Sequence, residues 1–188
     1  MTNNIENNHI NLESLTTKLD KEDRRNEKIT KTLSYVYFGF SALYAFIYIL
    51  DYILDPSNFS LFTALSGTSF IIAFTFFALL FRYANKEYRE VNYALPTIQM
   101  LSKAAKRYKL FNIKLPLAII AALFIDAGIA LNHIELPMDE AIINDLIKTQ
   151  INFFSAIGIG VIAGVIIWHI RQKPIRDNAL ALIKELEN

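Results

Sequence analysis

The lysine and arginine residues of this chain are distributed unevenly around four long apolar segments. The segments are Leu33–Leu50, Leu61–Phe81, Leu115–Leu131 and Ile151–Ile170. Of the 19 basic residues, six precede the first segment, eight lie between the second and third, and four follow the fourth. The remaining two connections hold none and one, Lys148. Because basic flanks are retained in the cytoplasm, the pattern predicts four membrane spans, with both termini and the long middle loop cytoplasmic.

Segment length supports the same topology. A helix rises 1.5 Å per residue, so a hydrocarbon core of about 30 Å needs roughly 20 residues. The second and fourth segments have 21 and 20 residues without a charge, the first has 18, and the third has 17 and contains Asp126. Removing the third span would place the basic loop and the basic tail on opposite faces, so we retain it. The predicted fold is an all-α, four-helix transmembrane bundle with amphipathic cytoplasmic helices.

Three parts of the chain are predicted on this basis. Residues 1–31 form a cytoplasmic arm, disordered over its Asn-rich start and then helical; residues 32–170 form the membrane domain, including the cytoplasmic loop 82–114; residues 171–188 form an amphipathic tail helix. The arm is polar, so we expect no cleavable signal peptide, and the first span acts as its own insertion signal. The chain has no cysteine, which excludes disulfides and thiolate chemistry.

The arm and the tail each carry an apolar stripe. Leu12, Leu15 and Leu19 form one in the arm, which is either part of a solvated helix or a docking helix for a partner. In the tail, Pro174 is predicted to break the fourth helix. The tail stripe consists of Ile175, Ala179, Leu182, Ile183 and Leu186. The apolar faces outside the bilayer either cover each other or form a platform for another protein.

The middle loop contains a third amphipathic helix, predicted from Thr97 to about Phe111, because Pro96 suits a first helical turn. Its apolar stripe is Ile98, Leu101, Ala105 and Tyr108, and its cations are Lys103, Lys106, Arg107 and Lys109. We expect the stripe to lie in the headgroup region, with the cations facing anionic lipid. Packing against the other cytoplasmic helices and a specific partner site are the alternatives.

Two stretches of this region carry a resemblance. The run Glu87–Phe111, EYREVNYALPTIQMLSKAAKRYKLF, and the C-terminal RDNALALIKELEN resemble small four-span inner-membrane proteins of bacteria. The resemblance implies a bacterial inner membrane as the location. It implies no activity and no site residue.

Asp126 is the one ionisable residue well inside a predicted span. An acid at the bilayer centre costs about 2.5–3.5 kcal/mol on insertion scales, and such residues face a bundle interior or a water-filled cavity. Its expected polar neighbours are Ser66, Thr68 and Ser69 on the second span and Asn152 and Ser155 on the fourth. The carboxyl is either a protonated or hydrogen-bonded packing residue, a proton or cation site, or a contact for a partner helix.

Small residues recur at four-residue spacing on two spans, where they allow close helix approach. They are Ala118 and Ala122 on the third span, and Ala156, Gly160 and Gly164 on the fourth. We expect these two faces to pack against each other, with a dimer interface as the alternative.

No nucleotide-binding, hydrolase or metal-ligand motif occurs, so the sequence predicts no enzyme, no cofactor, no metal and no nucleic-acid partner. The expected function is a non-catalytic membrane scaffold or a regulatory or accessory subunit, which contacts lipids and binds a protein partner or its own copies. The alternative is a small oligomeric transporter coupled to protons or cations through Asp126.

Overall fold

The computed structural model describes residues 2–111, 113–133 and 140–187, with side chains from Leu12 onward. Helices make up nearly all of this described part of the chain, and no strand occurs in it. The helices are α1 (Thr2–Leu54), α2 (Leu61–Arg89), α3 (Thr97–Arg107), α4 (Lys114–Asn132), α5 (Glu140–Ile167) and α6 (Lys173–Glu187). A π-helical turn, Trp168–Gln172, joins α5 to α6.

Four of these helices are long and apolar enough to cross a membrane: those that contain the four apolar segments. The prediction of an all-α chain with four such helices is therefore confirmed. Each of the four includes all or nearly all of one predicted segment, and α1, α2 and the α5–α6 run continue beyond it into polar sequence.

α1 begins earlier than the sequence suggests. It starts at Thr2 and includes the Asn-rich run that we predict to be disordered. Once a helix is nucleated, each added residue gains one backbone hydrogen bond. The weak helix propensity of asparagine is therefore not enough to end the helix at this point.

Pro174 does not break the fourth helix, contrary to the prediction. A proline removes one backbone donor and clashes with the carbonyl four residues earlier. The chain accommodates it by widening into the π-turn Trp168–Gln172, where the Lys173 N–H donates to the Trp168 carbonyl. Such single π-turns interrupt α-helices without ending them, so α6 follows directly.

The chain divides into two compact units. The first unit comprises Met1–Ile29, Asn85–Asn112 and Val161–Asn188, and the second comprises Thr30–Ala84 and Ile113–Gly160. α1, α2 and α5 each contribute residues to both units.

Aromatic stacking joins α1 to α2 in the second unit. The Tyr37 ring lies 5.1 Å from that of Phe77 and 5.5 Å from that of Phe81. About two turns further along α1, the Tyr44 ring lies 5.2 Å from those of both Phe70 and Phe74. Offset and tilted ring pairs at such distances are favourable beyond their area burial, so the aromatic residues of α1 serve helix packing.

Hydroxyl groups support the same helix pair. The Ser34 hydroxyl donates to the Ala78 carbonyl at 3.0 Å, and the Ser41 and Thr75 hydroxyls lie 2.8 Å apart. Hydrogen bonds between helices are worth about 0.6 kcal/mol each within a bilayer. Ring packing is therefore the larger contribution, and the hydroxyls fix the register of α1 on α2.

Candidate functional site

Asp23 lies at the centre of the first unit and is 2% exposed. Its Oδ2 accepts hydrogen bonds from the Tyr93 hydroxyl at 2.6 Å and from Arg107 Nη2 at 2.9 Å. Its Oδ1 accepts from the Tyr108 hydroxyl at 2.6 Å. Three donors from the loop before α3, from α3 and from its C-terminal end therefore converge on one carboxylate of α1. We call Asp23, Tyr93, Arg107 and Tyr108 the Asp23 cluster.

Burial dominates the electrostatics of the cluster. Loss of solvation raises the pKa of Asp23, while the Arg107 guanidinium and the two tyrosine hydroxyls act in the opposite direction. Burial and the adjacent carboxylate raise the pKa of both Tyr93 and Tyr108 above the ordinary value. Both phenols therefore stay protonated at physiological pH and keep donating to Asp23. Because three donors bind the Asp23 carboxylate, it holds chain segments together and is not free to act as a base.

A second ion pair lies beside the cluster. Arg171, in the π-turn, donates to both carboxylate oxygens of Glu22 at 2.6 and 2.8 Å. The Trp168 indole donates to the Tyr108 carbonyl at 2.9 Å, and the Arg176 guanidinium lies 5.3 Å from the Trp168 ring centre. Consecutive acids of α1 thus bind two different segments: Asp23 binds the α3 region and Glu22 binds the π-turn.

The apolar stripes of the first unit form one core. Leu15 and Leu19 of α1, four residues of the α3 region and two of α6 are buried together: Met100, Leu101, Ala104, Tyr108, Ala179 and Leu182. The stripes predicted in the arm, the loop and the tail therefore cover each other, which was one of the two alternatives. The α3 stripe faces this core, so the expectation that it lies in the headgroup region is wrong.

The four cations of the α3 region divide into two groups. Lys103, Lys106 and Lys109 are exposed. Arg107 was predicted to face lipid, but its side chain is only 8% exposed and pairs with Asp23. The reason is register: Arg107 lies one turn from Ala104 and next to Tyr108, on the buried face of α3. Its Nε atom is shielded from solvent and has no hydrogen-bond partner among the described residues.

Asp126 lies in the C-terminal half of α4 and is half-buried. Its Oδ1 is shielded and finds no hydrogen-bond partner within the described part of the chain. The buried residues of α4 are instead Ala121 and Gly128. Ala118 and Ala122, predicted as packing residues, are half-buried.

Within the described residues, Asp126 Oδ1 forms no hydrogen bond with the polar residues predicted near it. Ser66 is fully buried, but its hydroxyl donates to the Gly128 carbonyl at 2.8 Å and lies 3.4 Å from the Tyr48 hydroxyl. Thr68 is exposed and donates back to the Ala64 carbonyl of its own helix. Asn152 and Ser155 are exposed on α5. Ser66 therefore joins α2 to α4, and the polar site around Asp126 stays a prediction.

The small-residue face of α5 is exposed, contrary to the prediction that it is a close-packed face. Ala156, Gly160 and Gly164 are exposed, and α5 has no buried residue. A Cβ added at Gly160 or Gly164 would meet no described atom within 4 Å. Close helix approach occurs at Gly67 and Gly128 instead, against the rings of Tyr48 and Phe70. Each of these two glycines packs against one large ring and not against a row of small residues. The spacing of small residues along a helix therefore did not identify them.

Sequence reasoning missed the Asp23 cluster. Asp23 lies in a stretch of alternating charges, where a solvated surface is the usual interpretation. Its partners are 70 to 85 residues away. The available signal was register, since Asp23 follows Leu12, Leu15 and Leu19 by whole helical turns on the same face.

Comparison with other proteins assigns no relatives: no protein-family model, curated protein or solved structure matches this chain. In the described ranges 12–111, 113–133 and 140–187, no group of three or more metal-ligating side chains comes together. The geometry alone therefore defines the candidate site, which is a buried junction of helical segments held together by ion pairs.

Proposed function

We propose that the protein is a non-catalytic integral-membrane scaffold, or a regulatory or accessory subunit, that binds a partner protein through its first unit. One observation carries this proposal: three chain-distant segments are fixed to each other through the Asp23 cluster and the Glu22–Arg171 pair. Burial of these charges costs several kcal/mol of desolvation. Their ion pairs and hydrogen bonds hold the three segments in one rigid arrangement. A rigid surface loses less entropy on binding.

The binding surface follows from the packing. Because the apolar stripes are covered, a partner contacts the outer, charged surface of the first unit. A groove of about 260 Å³ lies there between α1 and α6, lined on one side by Ser14, Leu15 and Lys18, and on the other by Asn178, Ala181, Leu182 and Glu185. Lys18 and Glu185 suit a partner segment that carries one acidic and one basic side chain.

The location that we propose is the inner membrane of a bacterium, with both termini in the cytoplasm. The orientation is supported by the basic residues around the apolar segments, and the bacterial source by the resemblance of residues 87–111 and 176–188. This orientation would place the first unit, with its groove, on the cytoplasmic side.

The test is extraction of the tagged chain into native nanodiscs, followed by mass determination and identification of the copurifying proteins. We expect a second protein in fixed stoichiometry with the wild type. Ala181→Arg fills the groove from an exposed position, so it should remove that protein. Leu180→Arg is the matched control, since Leu180 is 48% exposed on the same helix and does not line the groove. Equal retention by both variants, or a homo-oligomer alone, contradicts the proposal.

A second candidate function is proton- or cation-coupled transport by an oligomer. The observation that favours it is the shielded and unpartnered Oδ1 of Asp126. In proteoliposomes, Asp126→Asn should then abolish flux and Asp126→Glu should alter only its pH dependence. Flux that survives Asp126→Asn removes this candidate, and retention of the copurifying protein by Asp126→Asn supports the first.

A further inference from the structure

The segment from Val91 to Ile125 contains no acidic residue. It carries five basic residues, Lys103, Lys106, Arg107, Lys109 and Lys114. The rest of the first unit has mixed charge: α1 places Asp20 against Arg24, and α6 places Arg176 against Asp177. The α3 region is therefore a surface of one sign. Mixed surfaces are the norm for soluble domains, and a surface of one sign attracts counter-charged partners.

The structure defines which cations of this region are available. The buried face of α3 presents Met100, Leu101 and Ala104 to the core, and Arg107 is used by Asp23. Lys103 and Lys106 lie one turn apart on the exposed side of the helix. These two ammonium groups are therefore presented outward, away from the cluster that fixes α3.

An exposed aromatic residue follows the lysines. Phe111 is 69% exposed, although transfer of such a ring out of water is worth about 1.5–3 kcal/mol. Four residues later the apolar part of α4 begins at Leu115. A chain of nine residues reaches at most about 30 Å, so covalent connection keeps Lys106 within that distance of a predicted membrane span.

We propose that the exposed face of α3, formed by Lys103 and Lys106 with Phe111 beyond its end, binds anionic lipid headgroups at the membrane surface. The lysines pair with phosphate groups, and the Phe111 ring enters the interface beside them. The amphipathic pattern suggests that the apolar stripe of α3 contacts the membrane. In this proposal the stripe faces the protein core, and the opposite face, with the lysines, contacts lipid. The proposal holds whether or not a partner protein binds the groove between α1 and α6.

The first test counts bound lipids on the full chain by native mass spectrometry in a neutral detergent. The titrants are short-chain phosphatidylglycerol, phosphatidylcholine and inorganic phosphate. We compare Lys103→Gln/Lys106→Gln with Lys18→Gln/Lys21→Gln. The control pair has the same spacing, is also exposed, and removes the same charge from α1. Both pairs leave the Asp23 cluster intact, so both variants should fold.

Each lysine near an anionic surface contributes about 1 kcal/mol, so the α3 double variant should bind phosphatidylglycerol on the order of 30-fold more weakly. The control pair should bind like the wild type, and the difference should shrink as salt is raised. Equal loss in both variants overturns the proposal. Equal binding of phosphatidylcholine, or competition by inorganic phosphate at the lipid's own concentration, overturns it as well.

The second test locates Phe111 directly. The chain has no cysteine, so Phe111→Cys accepts a single environment-sensitive fluorophore. In nanodiscs that contain phosphatidylglycerol, its emission should shift to the blue and be quenched by a quencher attached to lipid. Lys18→Cys, labelled in the same way, is the control and should be quenched only by a water-soluble quencher. A Phe111 label quenched solely from the aqueous phase contradicts the placement of this ring at the interface.

Discussion

At the scale of single residues, two neighbouring acids of α1 show how position separates structural charges from surface charges. Asp20 pairs with Arg24, and these side chains are 43% and 73% exposed. Asp23 pairs with Arg107, and these are 3% and 8% exposed. An exposed pair adds at most a few tenths of a kcal/mol. Removal of one partner from a buried pair leaves an uncompensated charge and costs about 3–5 kcal/mol.

We therefore expect Asp23→Ala to destabilise the first unit by about 3–5 kcal/mol, because the Arg107 guanidinium stays buried without a counter-charge. The measurement is denaturant unfolding followed by the fluorescence of Trp168, the single tryptophan of the chain. Trp168 reports on this unit, since its indole donates to the Tyr108 carbonyl. Asp20→Ala is the matched control and should unfold within about 0.5 kcal/mol of the wild type. Equal midpoints for the two variants would show that Asp23 does not hold the unit together.

At the scale of elements, the four apolar helices were predictable, but their packing was not. Runs such as Leu61–Phe81 are identified by composition and length alone. The contact between Ser66 and the Gly128 carbonyl depends on which faces of α2 and α4 meet, and spacing does not specify this. Arg107 shows the same limit, since a cation between Lys106 and Lys109 looks like a surface residue until its buried partner is known. Small-residue spacing drew attention to Gly160, whereas close packing occurs at Gly67.

The glycines of the apolar helices provide a test of this packing. A Cβ at Gly67 would lie 2.5 Å from ring carbons of Tyr48 on α1, whereas one at Gly160 would meet no described atom within 4 Å. Overpacking by one methyl costs about 1–3 kcal/mol. Gly67→Ala should therefore unfold at a lower SDS mole fraction than the wild type, and Gly160→Ala should not. On a Tyr48→Ala background, Gly67→Ala should cause no further reduction, because the clashing ring is then absent. Sensitivity of Gly160→Ala equal to that of Gly67→Ala would contradict this assignment of the packed face.

At the scale of the whole molecule, orientation is the property on which the location of the groove and of the α3 lysines depends. An even number of spans places both termini on one side. The basic residues number six, eight and four in the regions that should share that side, against none and one in the other two. The proposed orientation follows if these basic flanks are retained in the cytoplasm. If the segment with Asp126 failed to span, the termini would lie on opposite sides.

Single cysteines report this orientation without background, since the chain has none of its own. In intact cells, a membrane-impermeant maleimide should label Ser57→Cys, in the exposed turn between α1 and α2. Lys18→Cys and Lys184→Cys, both at exposed positions, should be labelled only after permeabilisation. If Lys18→Cys but not Lys184→Cys were labelled in intact cells, the first span would run in the opposite direction. If Lys184→Cys but not Lys18→Cys were labelled, one of the segments would not cross the membrane. Agreement of the two terminal sites, opposite to Ser57, requires an even number of crossings, and when all four segments cross, the α3 lysines face the anionic cytoplasmic leaflet.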